Sequence, residues 1–189
     1  FELLGGAFRP RVEFAGYLFY KFGQHIDAPA DHLPDAWGAA LTPPALVEQA
    51  RWIGERHGFR SLKLKAGVFD PDVEIDTVLQ LAQTFPEHLL RLDPNTAWTV
   101  ETSIEVGRRL RHHLDYLEDP TPGATSMALV GQATGLPIAT NMLVTHFEDV
   151  PEAIAEGAIQ ILLSDHHYWG GHRATQHVAS LCSVWDIGV

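Results

Sequence analysis

A regular alternation of strand-type and helix-type segments constrains this chain more than any other feature. Candidate strands cover residues 12–20, 61–66, 89–93, 114–118, 137–141 and 159–165, and a seventh begins at Ile187. Helical patterns lie between them, at residues 44–57, 71–84, 100–113, 126–134, 149–156 and 171–185. Strands that alternate with helices predict a parallel sheet covered by helices.

One polar residue closes each strand from the second to the sixth. These residues are Lys65, Asp93, Glu118, Asn141 and Asp165, at spacings of 28, 25, 23 and 24 residues. In a closed barrel the carboxyl ends of the strands converge on one mouth, whereas an open sheet spreads them apart. No Gly-rich dinucleotide loop follows the first strand, which disfavours an open nucleotide-binding sheet. We therefore predict an α/β fold of the TIM-type (β/α)₈ class.

The length fits only part of such a barrel. The chain has 189 residues and begins with Phe1 rather than Met, whereas a whole barrel needs eight strands and roughly 250 residues. About seven strands can be counted, so we expect an incomplete barrel whose last strands are absent. Residues 24–42 are expected to form a long loop that covers substrate.

Composition excludes several classes of function. The net charge is −11 with 13 Lys and Arg residues, and no basic stripe for nucleic acid is visible. The chain has no run of about 18 apolar residues, so we expect no membrane span, and we expect no signal peptide. The single Cys182 cannot form an internal disulfide and indicates a reducing cytoplasm. Its apolar neighbours favour a buried helix position over a catalytic thiol.

Two lysines in the second strand are candidates for proton transfer. Lys63 and Lys65 are two residues apart, so they share one face while Leu62 and Leu64 share the other. If the leucines pack against helices, the lysines point into the barrel. Mutual repulsion and desolvation would then lower the pKa of one of them, which suits a base near neutral pH. The alternative is an edge strand with two solvated lysines.

Two carboxylates and one amide predict a metal site. Asp93, Glu118 and Asn141 close consecutive strands, and oxygen ligands of this kind suit Mg²⁺. Each alone could be a helix cap or a turn residue, but in register with Lys65 they favour a metal. Zinc is disfavoured, because the spacings of the eleven histidines match no zinc motif.

These motifs, taken in order, resemble those of a known family. The Lys-x-Lys strand is followed by LDPN-AW from residue 92, YLEDP from 116, PIATNM from 137 and LLSDHHYW from 162. The set is similar to that of the glucarate dehydratase group of the enolase superfamily, over residues from about 16 to the end. Any one of these motifs alone is a weak signal, whereas their order is specific.

The resemblance implies a catalytic role for three residues. Lys65 would be the base that removes the proton beside the substrate carboxylate, and Lys63 would assist it and bind substrate. Asp165 would orient a second base, a His on the seventh strand, which would lie a few residues past Val189. On this interpretation, the printed sequence contains the orienting carboxylate but not the histidine that it would orient.

The resemblance also implies a Mg²⁺ cofactor and contacts to substrate. The metal ligands would be Asp93, Glu118 and Asn141, and an Asn at the third position is a mark of this group. Further substrate contacts are expected from Tyr17 on the first strand, Asn95, and Asn141 itself. His167, two residues past Asp165, is a candidate for a minor substrate contact.

Domain organisation and partners follow from the same resemblance. Residues 1–10 would be the end of a linker from an amino-terminal capping domain, and residues 11–189 the partial catalytic barrel. The segment 119–134 is shorter than in glucarate dehydratase, which leaves the substrate open. We expect a small acid sugar, an aldarate or an aldonate, as substrate, no nucleic-acid or membrane partner, no organic cofactor, and a homo-oligomer.

The predicted reaction is a Mg²⁺-dependent dehydration of an acid sugar. Three alternatives remain open at this point. A racemase or epimerase of the same superfamily would return the proton instead of losing a hydroxyl. A Schiff-base aldolase would use Lys65 as a nucleophile. A non-catalytic barrel would serve as a binding or assembly partner.

Overall fold

Six parallel strands form the centre of the molecule. The computed structural model describes residues 2–7, 9–24 and 38–189. The strands are β1 Ala15–Phe19, β2 Ser61–Lys65, β3 Leu89–Asp93, β4 Leu114–Glu118, β5 Ile138–Thr140 and β6 Ile161–Leu162. They pair in the order in which they occur along the chain, from β1 to β6. A doubly wound sheet reverses its strand order at a switch point, so the unbroken order is that of a partial barrel.

A helix follows each strand. These helices are α1 Pro43–His57, α2 Pro71–Thr84, α3 Val100–Leu110, α4 Ala124–Thr134, α5 Val150–Ala155 and α6 His172–Cys182. Short 3₁₀ turns at Glu2–Leu4, Phe147–Asp149 and Ser183–Trp185 complete the described secondary structure. Gly58 and Gly135 end α1 and α4 in left-handed conformations, with φ of 68° and 73°, as expected for helix-terminating glycines.

The strands separate an apolar face from a polar one. Leu62, Leu64 and Leu92 are at most 2% exposed and belong to the core beneath the helices. Lys63 and Lys65 lie on the opposite face, because side chains alternate along a strand. The predicted arrangement, with leucines toward the helices and lysines toward the barrel interior, is therefore confirmed.

A one-residue register shift between β3 and β4 decides which side chains become neighbours. Leu90 pairs with Leu114, but Arg91 pairs with Tyr116 and Leu92 with Leu117. Continuing that register places Glu118 beside Asp93. Without the shift, a leucine would stand next to Asp93, since a slip of one residue exchanges the two faces of a strand.

Several predicted boundaries were wrong. Pairing of β1 with β2 begins only at Ala15, although a strand was predicted from residue 12. The sixth strand spans two residues rather than residues 159–165, because the chain turns immediately afterwards and the Asp165 N–H donates to the Leu163 carbonyl at 3.0 Å. Asp165 therefore lies in a turn rather than at a strand end, and Asn141 lies one residue past β5.

A seventh segment begins to pair beside β6. Gly188 forms a parallel bridge with Ile161, as expected for a strand beginning at residue 187. The predicted long loop at residues 24–42 falls mostly outside the described residues. Across the part of the chain that is described, no helix has the length and apolar character needed to cross a membrane.

Candidate active site

Lys63 stands between the two predicted carboxylate ligands. Its Nζ donates to both carboxylate oxygens of Glu118 at 2.8 Å and lies 3.5 Å from Oδ2 of Asp93. All three side chains are almost completely buried. The adjacent strands β2, β3 and β4 contribute one residue each, so the sheet order brings this cluster together.

Lys65 extends the cluster toward the surface. Its Nζ contacts Oδ2 of Asp93 and donates to Oδ1 of Asn95 at 3.2 Å. Asn95 adopts φ of 49°, and its backbone N–H donates to Oδ1 of Asp93 at 3.0 Å. Asp93 is therefore held by the lysine and by the turn that follows its own strand, and the Lys65 amine remains partly exposed.

Of the two lysines, one of which was expected to have a lowered pKa, Lys63 has a raised one. Burial acts to lower the pKa of Lys63, but ion pairing with Glu118 and Asp93 and the contact with Tyr17 outweigh it, so its pKa is raised. Burial and the neighbouring Asp93 raise the pKa of Glu118, while Lys63 opposes the shift. Two buried carboxylates close together thus make a site at which added positive charge is favourable.

A cavity of about 510 Å³, lined by both polar and apolar residues, opens beside Lys63. Tyr17 places its ring 4.5 Å from the Lys63 ammonium, and Arg91 lies 4.8 Å from the centre of the Tyr116 ring. These four side chains line the cavity together with Asn141 and Asp165. The predicted substrate contact Tyr17 is therefore next to Lys63, on a wall that also carries Asn141 and Asp165 from the segments after β5 and β6.

The side chain of Asn141 has a fixed orientation. Its Nδ2 donates to Oδ2 of Asp165 at 2.9 Å. Its Oδ1 is buried, and within the described part of the chain it has no hydrogen-bond partner. An unpaired buried carbonyl oxygen is costly, so this atom is suited to receive a ligand or a cation.

Asp119 is a buried carboxylate that the sequence analysis did not select. One oxygen accepts a hydrogen bond from the Thr140 hydroxyl, and the other accepts from the Asn141 N–H at 3.0 Å. Burial raises the pKa of Asp119, and these hydrogen bonds act against the shift. Its place directly after Glu118 was the available signal, because no periodicity distinguishes it from an ordinary turn residue.

Glu74 was also missed. It is fully buried near the start of α2, and its carboxylate accepts from the N–H groups of Gly67, Val68 and Phe69 at 2.9–3.0 Å. This clamp holds the loop that follows Lys65. In sequence, an acidic residue in the first turn of a helix indicates only a favourable charge at its N-terminus.

His167 takes a peripheral position. It is exposed, and its ring packs against Tyr168 and His166, with centroid distances of 4.3 and 5.8 Å. His166 in turn stacks on His172 at 4.8 Å. His167 does not line the cavity, and neither do Lys65, Asp93, Asn95 and Glu118. The substrate contact of His167 therefore stays a prediction.

The chemistry of the donor set fits a hard divalent cation. Over residues 2–7, 9–24 and 38–189, no three His, Cys, Asp or Glu side chains group as metal ligands. A cation held by Asp93 and Glu118 would therefore need a further oxygen, and the unpaired Oδ1 of Asn141 is the predicted donor. Carboxylate and amide oxygens are what Mg²⁺ prefers, so the residues fit the predicted cofactor.

Comparison with known proteins decides the family. The enolase C-terminal domain-like family matches residues 45–189. This range includes strand β2 with its two lysines, the carboxylates Asp93 and Glu118, and Asn141. The chain belongs to this family. The resemblance inferred from the motifs, an enolase-superfamily barrel of the glucarate dehydratase type, is thereby confirmed at the level of the superfamily.

Relatives within the enolase superfamily extend beyond this chain. A probable glucarate dehydratase of Streptomyces coelicolor is 53% identical over 187 residues, covering 99% of this chain and 43% of the relative. An enolase from Pseudomonas fluorescens, solved with magnesium, potassium and tartrate, is 47% identical with a TM-score of 0.95, covering 100% and 44%. An enolase from Thermobispora bispora, with magnesium and formate, is 49% identical with a TM-score of 0.93, covering 98% and 43%. The chain thus spans less than half the length of these relatives.

Proposed function

We propose that this chain carries the proton-abstraction and metal-binding site of a Mg²⁺-dependent acid-sugar dehydratase. The observation that carries the proposal is the meeting of Lys63, Lys65, Asp93 and Glu118 in one largely buried cluster. Lys63 and Asn141 line the same cavity, and the side-chain oxygen of Asn141 is unpaired among the described residues. The similarity to a probable glucarate dehydratase supports the choice of substrate class.

The proposed metal site uses Asp93, Glu118 and the Oδ1 atom of Asn141. Magnesium bound there would supply positive charge that offsets the charge developing on a substrate carboxylate. Two relatives solved with magnesium, one of them also with the dicarboxylate tartrate, support this part of the proposal.

Lys65 is proposed as the base. Its Nζ is partly exposed, whereas the Lys63 ammonium is buried against Glu118. In the neutral form the Lys65 amine takes the proton from the carbon beside the substrate carboxylate. The bond from the next carbon to its hydroxyl then breaks, and that hydroxyl leaves as water with a proton that the second base, the histidine implied by the resemblance, would supply. The enol product rearranges to a 2-keto-3-deoxy acid.

The remaining predicted residues would bind and orient substrate. Asn95 lies within hydrogen-bond distance of Lys65 and can contact a substrate that reaches the base. Tyr17 lies against Lys63 on the cavity wall. Asp165 is assigned to the second histidine base only by the resemblance, and in this structure its side chain contacts Asn141 instead.

The test is a screen of aldaric and aldonic acids with the full-length protein, read out as keto-acid formation with Mg²⁺ and with EDTA. Mg²⁺-dependent keto acid is the expected result. Exchange of the α-proton with solvent deuterium without keto acid would instead support a racemase. Borohydride trapping that is indifferent to EDTA would support a Schiff-base aldolase. Neither turnover nor exchange with any acid would support a non-catalytic barrel.

A further inference from the structure

Asp119 is a fully buried carboxylate to which the proposed reaction gives no task. Its two oxygens accept from two different donors at the end of β5, the Thr140 hydroxyl and the Asn141 N–H. The same Thr140 oxygen accepts from the N–H groups of Met142 at 3.1 Å and Leu143 at 2.8 Å. The turn that carries Asn141 is therefore organised around one carboxylate and one hydroxyl.

The Asp119 backbone connects the other two ligand-bearing strands. Its carbonyl accepts from the Thr96 N–H at 2.7 Å, and its N–H donates to the Ala139 carbonyl at 2.9 Å. Thr96 follows Asp93 by three residues, and Glu118 directly precedes Asp119. Asp119 adopts φ of 39°, a left-handed conformation that costs free energy in a non-glycine residue. Asp119 is thus hydrogen-bonded to the segments that carry Asp93 and Asn141, and it is the chain neighbour of Glu118.

The direction of the Asn141 amide depends on the same arrangement. The backbone N–H of Asn141 donates a hydrogen bond to Asp119, and the side-chain Nδ2 of Asn141 donates one to Asp165. With both of these contacts made, Oδ1 is the side-chain atom left for a cation. A shift of the backbone would move that oxygen relative to Glu118.

We propose that Asp119 is a positioning residue that sets the spacing of Asn141, Glu118 and Asp93 for Mg²⁺ binding. This inference rests on the proposed function, because it concerns the same metal site. Asp119 contacts neither the substrate nor the cation and acts through the residues that do. Residues that orient metal ligands typically change metal affinity about 10–100-fold when they are replaced.

A carboxylate is required at this position because both partners are donors. In D119N only one oxygen remains as an acceptor, and the amide nitrogen would face either the Asn141 N–H or the Thr140 hydroxyl. The Thr140 oxygen already accepts two backbone N–H groups, so a third donor is poorly accommodated. The substitution keeps the size of the side chain and removes its ability to hold both donors.

The experiment measures Mg²⁺ binding by calorimetry on the full-length protein, without substrate. D119N and T140V are expected to weaken binding by about 10–100-fold, while T140S, which keeps the hydroxyl, stays close to the unsubstituted protein. T134V is the matched control. Thr134 is buried, and its hydroxyl donates to the Val130 carbonyl at 2.7 Å and accepts from the Leu136 N–H at 3.2 Å. It precedes β5, whereas Thr140 is the last residue of β5. T134V should lower thermal stability without changing Mg²⁺ affinity.

The outcomes separate this inference from the proposal beneath it. If the unsubstituted protein binds no Mg²⁺, both the proposed metal site and the inference are overturned. If the unsubstituted protein binds Mg²⁺, and the D119N and T140V variants bind it with the same affinity, Asp119 has no positioning role and the proposed function stands. Equal weakening in T134V and T140V would show a general loss of structure and would also overturn the inference.

Discussion

The side-chain Nδ2 of Asn141 donates a hydrogen bond to Oδ2 of Asp165 at 2.9 Å. The Oδ1 of the same amide is buried and has no hydrogen-bond partner among the described residues. The two residues come from the turns after β5 and β6, which are 24 positions apart in sequence. Their contact assigns the two ends of the amide, and it gives a physical reason for an amide rather than a carboxylate at this position.

Replacing Asn141 with Asp should therefore place two carboxylates against each other. We expect N141D to lower the free energy of unfolding at pH 7, and D165N in the same chain to relieve most of that loss. The coupling in the double-mutant cycle should be about 0.5–3 kcal/mol. Urea unfolding in EDTA, with the full-length protein, measures it. Strictly additive effects of the two substitutions would contradict the proposed repulsion.

Lys65 can be tested as the base by a substitution that keeps its charge. Arginine is effectively always protonated, so K65R should lower kcat by about 10²–10⁴-fold. The ion pair with Asp93 can persist in that variant, so Mg²⁺ affinity should change little. Keto-acid formation and exchange of the substrate α-proton with deuterium provide two readouts. An active K65R variant would exclude Lys65 as the base.

The ion pair between Lys63 and Glu118 should dominate the stability of the empty site. Their side chains are 4% and 0% exposed, and breaking a buried pair leaves an uncompensated charge. K63M should therefore cost about 3–5 kcal/mol in unfolding free energy, and adding E118Q should recover part of it.

K65M is the matched control for that experiment. The Lys65 side chain is 20% exposed, so solvent screens its ion pair and its loss should cost less than that of Lys63. Denaturant titration of K63M, K65M and K63M/E118Q in EDTA compares them directly. If K65M lowered the unfolding free energy as much as K63M, burial would not be what sets the contribution of these two ion pairs to stability.

The raised pKa of Tyr20 leads us to expect that the protein loses stability at alkaline pH. Its hydroxyl lies 2.7 Å from the Thr77 hydroxyl, and burial raises its pKa from 10.0 to about 12. Since the folded pKa is the higher one, the protonated hydroxyl contributes stability that is fully present below about pH 10. That contribution is lost as the pH rises toward 12, and it amounts to at most about 3 kcal/mol.

Y20F is the control that isolates this titration. At pH 7 it should cost about 1 kcal/mol through the lost hydrogen bond, since Thr77 keeps its bond to the Val73 carbonyl at 2.9 Å. Between pH 10 and 12 the unsubstituted protein should lose stability relative to Y20F. Urea unfolding at pH 8, 10 and 11 measures the difference, and a constant difference would rule out the raised pKa.

Local patterns in the sequence were sufficient for much of the fold. The alternation of apolar and polar residues predicts β3 and β4 with the bounds that the structure has, and it places Lys63 and Lys65 on the face opposite Leu62 and Leu64. Gly58 and Gly135 end helices because few other residues adopt positive φ without cost. These features depend on neighbours within a few residues, so the sequence alone determines them.

Pairing between distant segments required the tertiary structure. The shift that brings Glu118 beside Asp93 arises between β3 and β4, and register is set by contacts between strands rather than by the pattern of either strand. The raised pKa of Lys63 likewise reflects carboxylates that lie 30 and 55 residues away in sequence. The sequence determined that Lys65, Asp93 and Glu118 end their strands. The tertiary structure decided which of these side chains meet, because the energies of buried charges depend on distances that no local pattern contains.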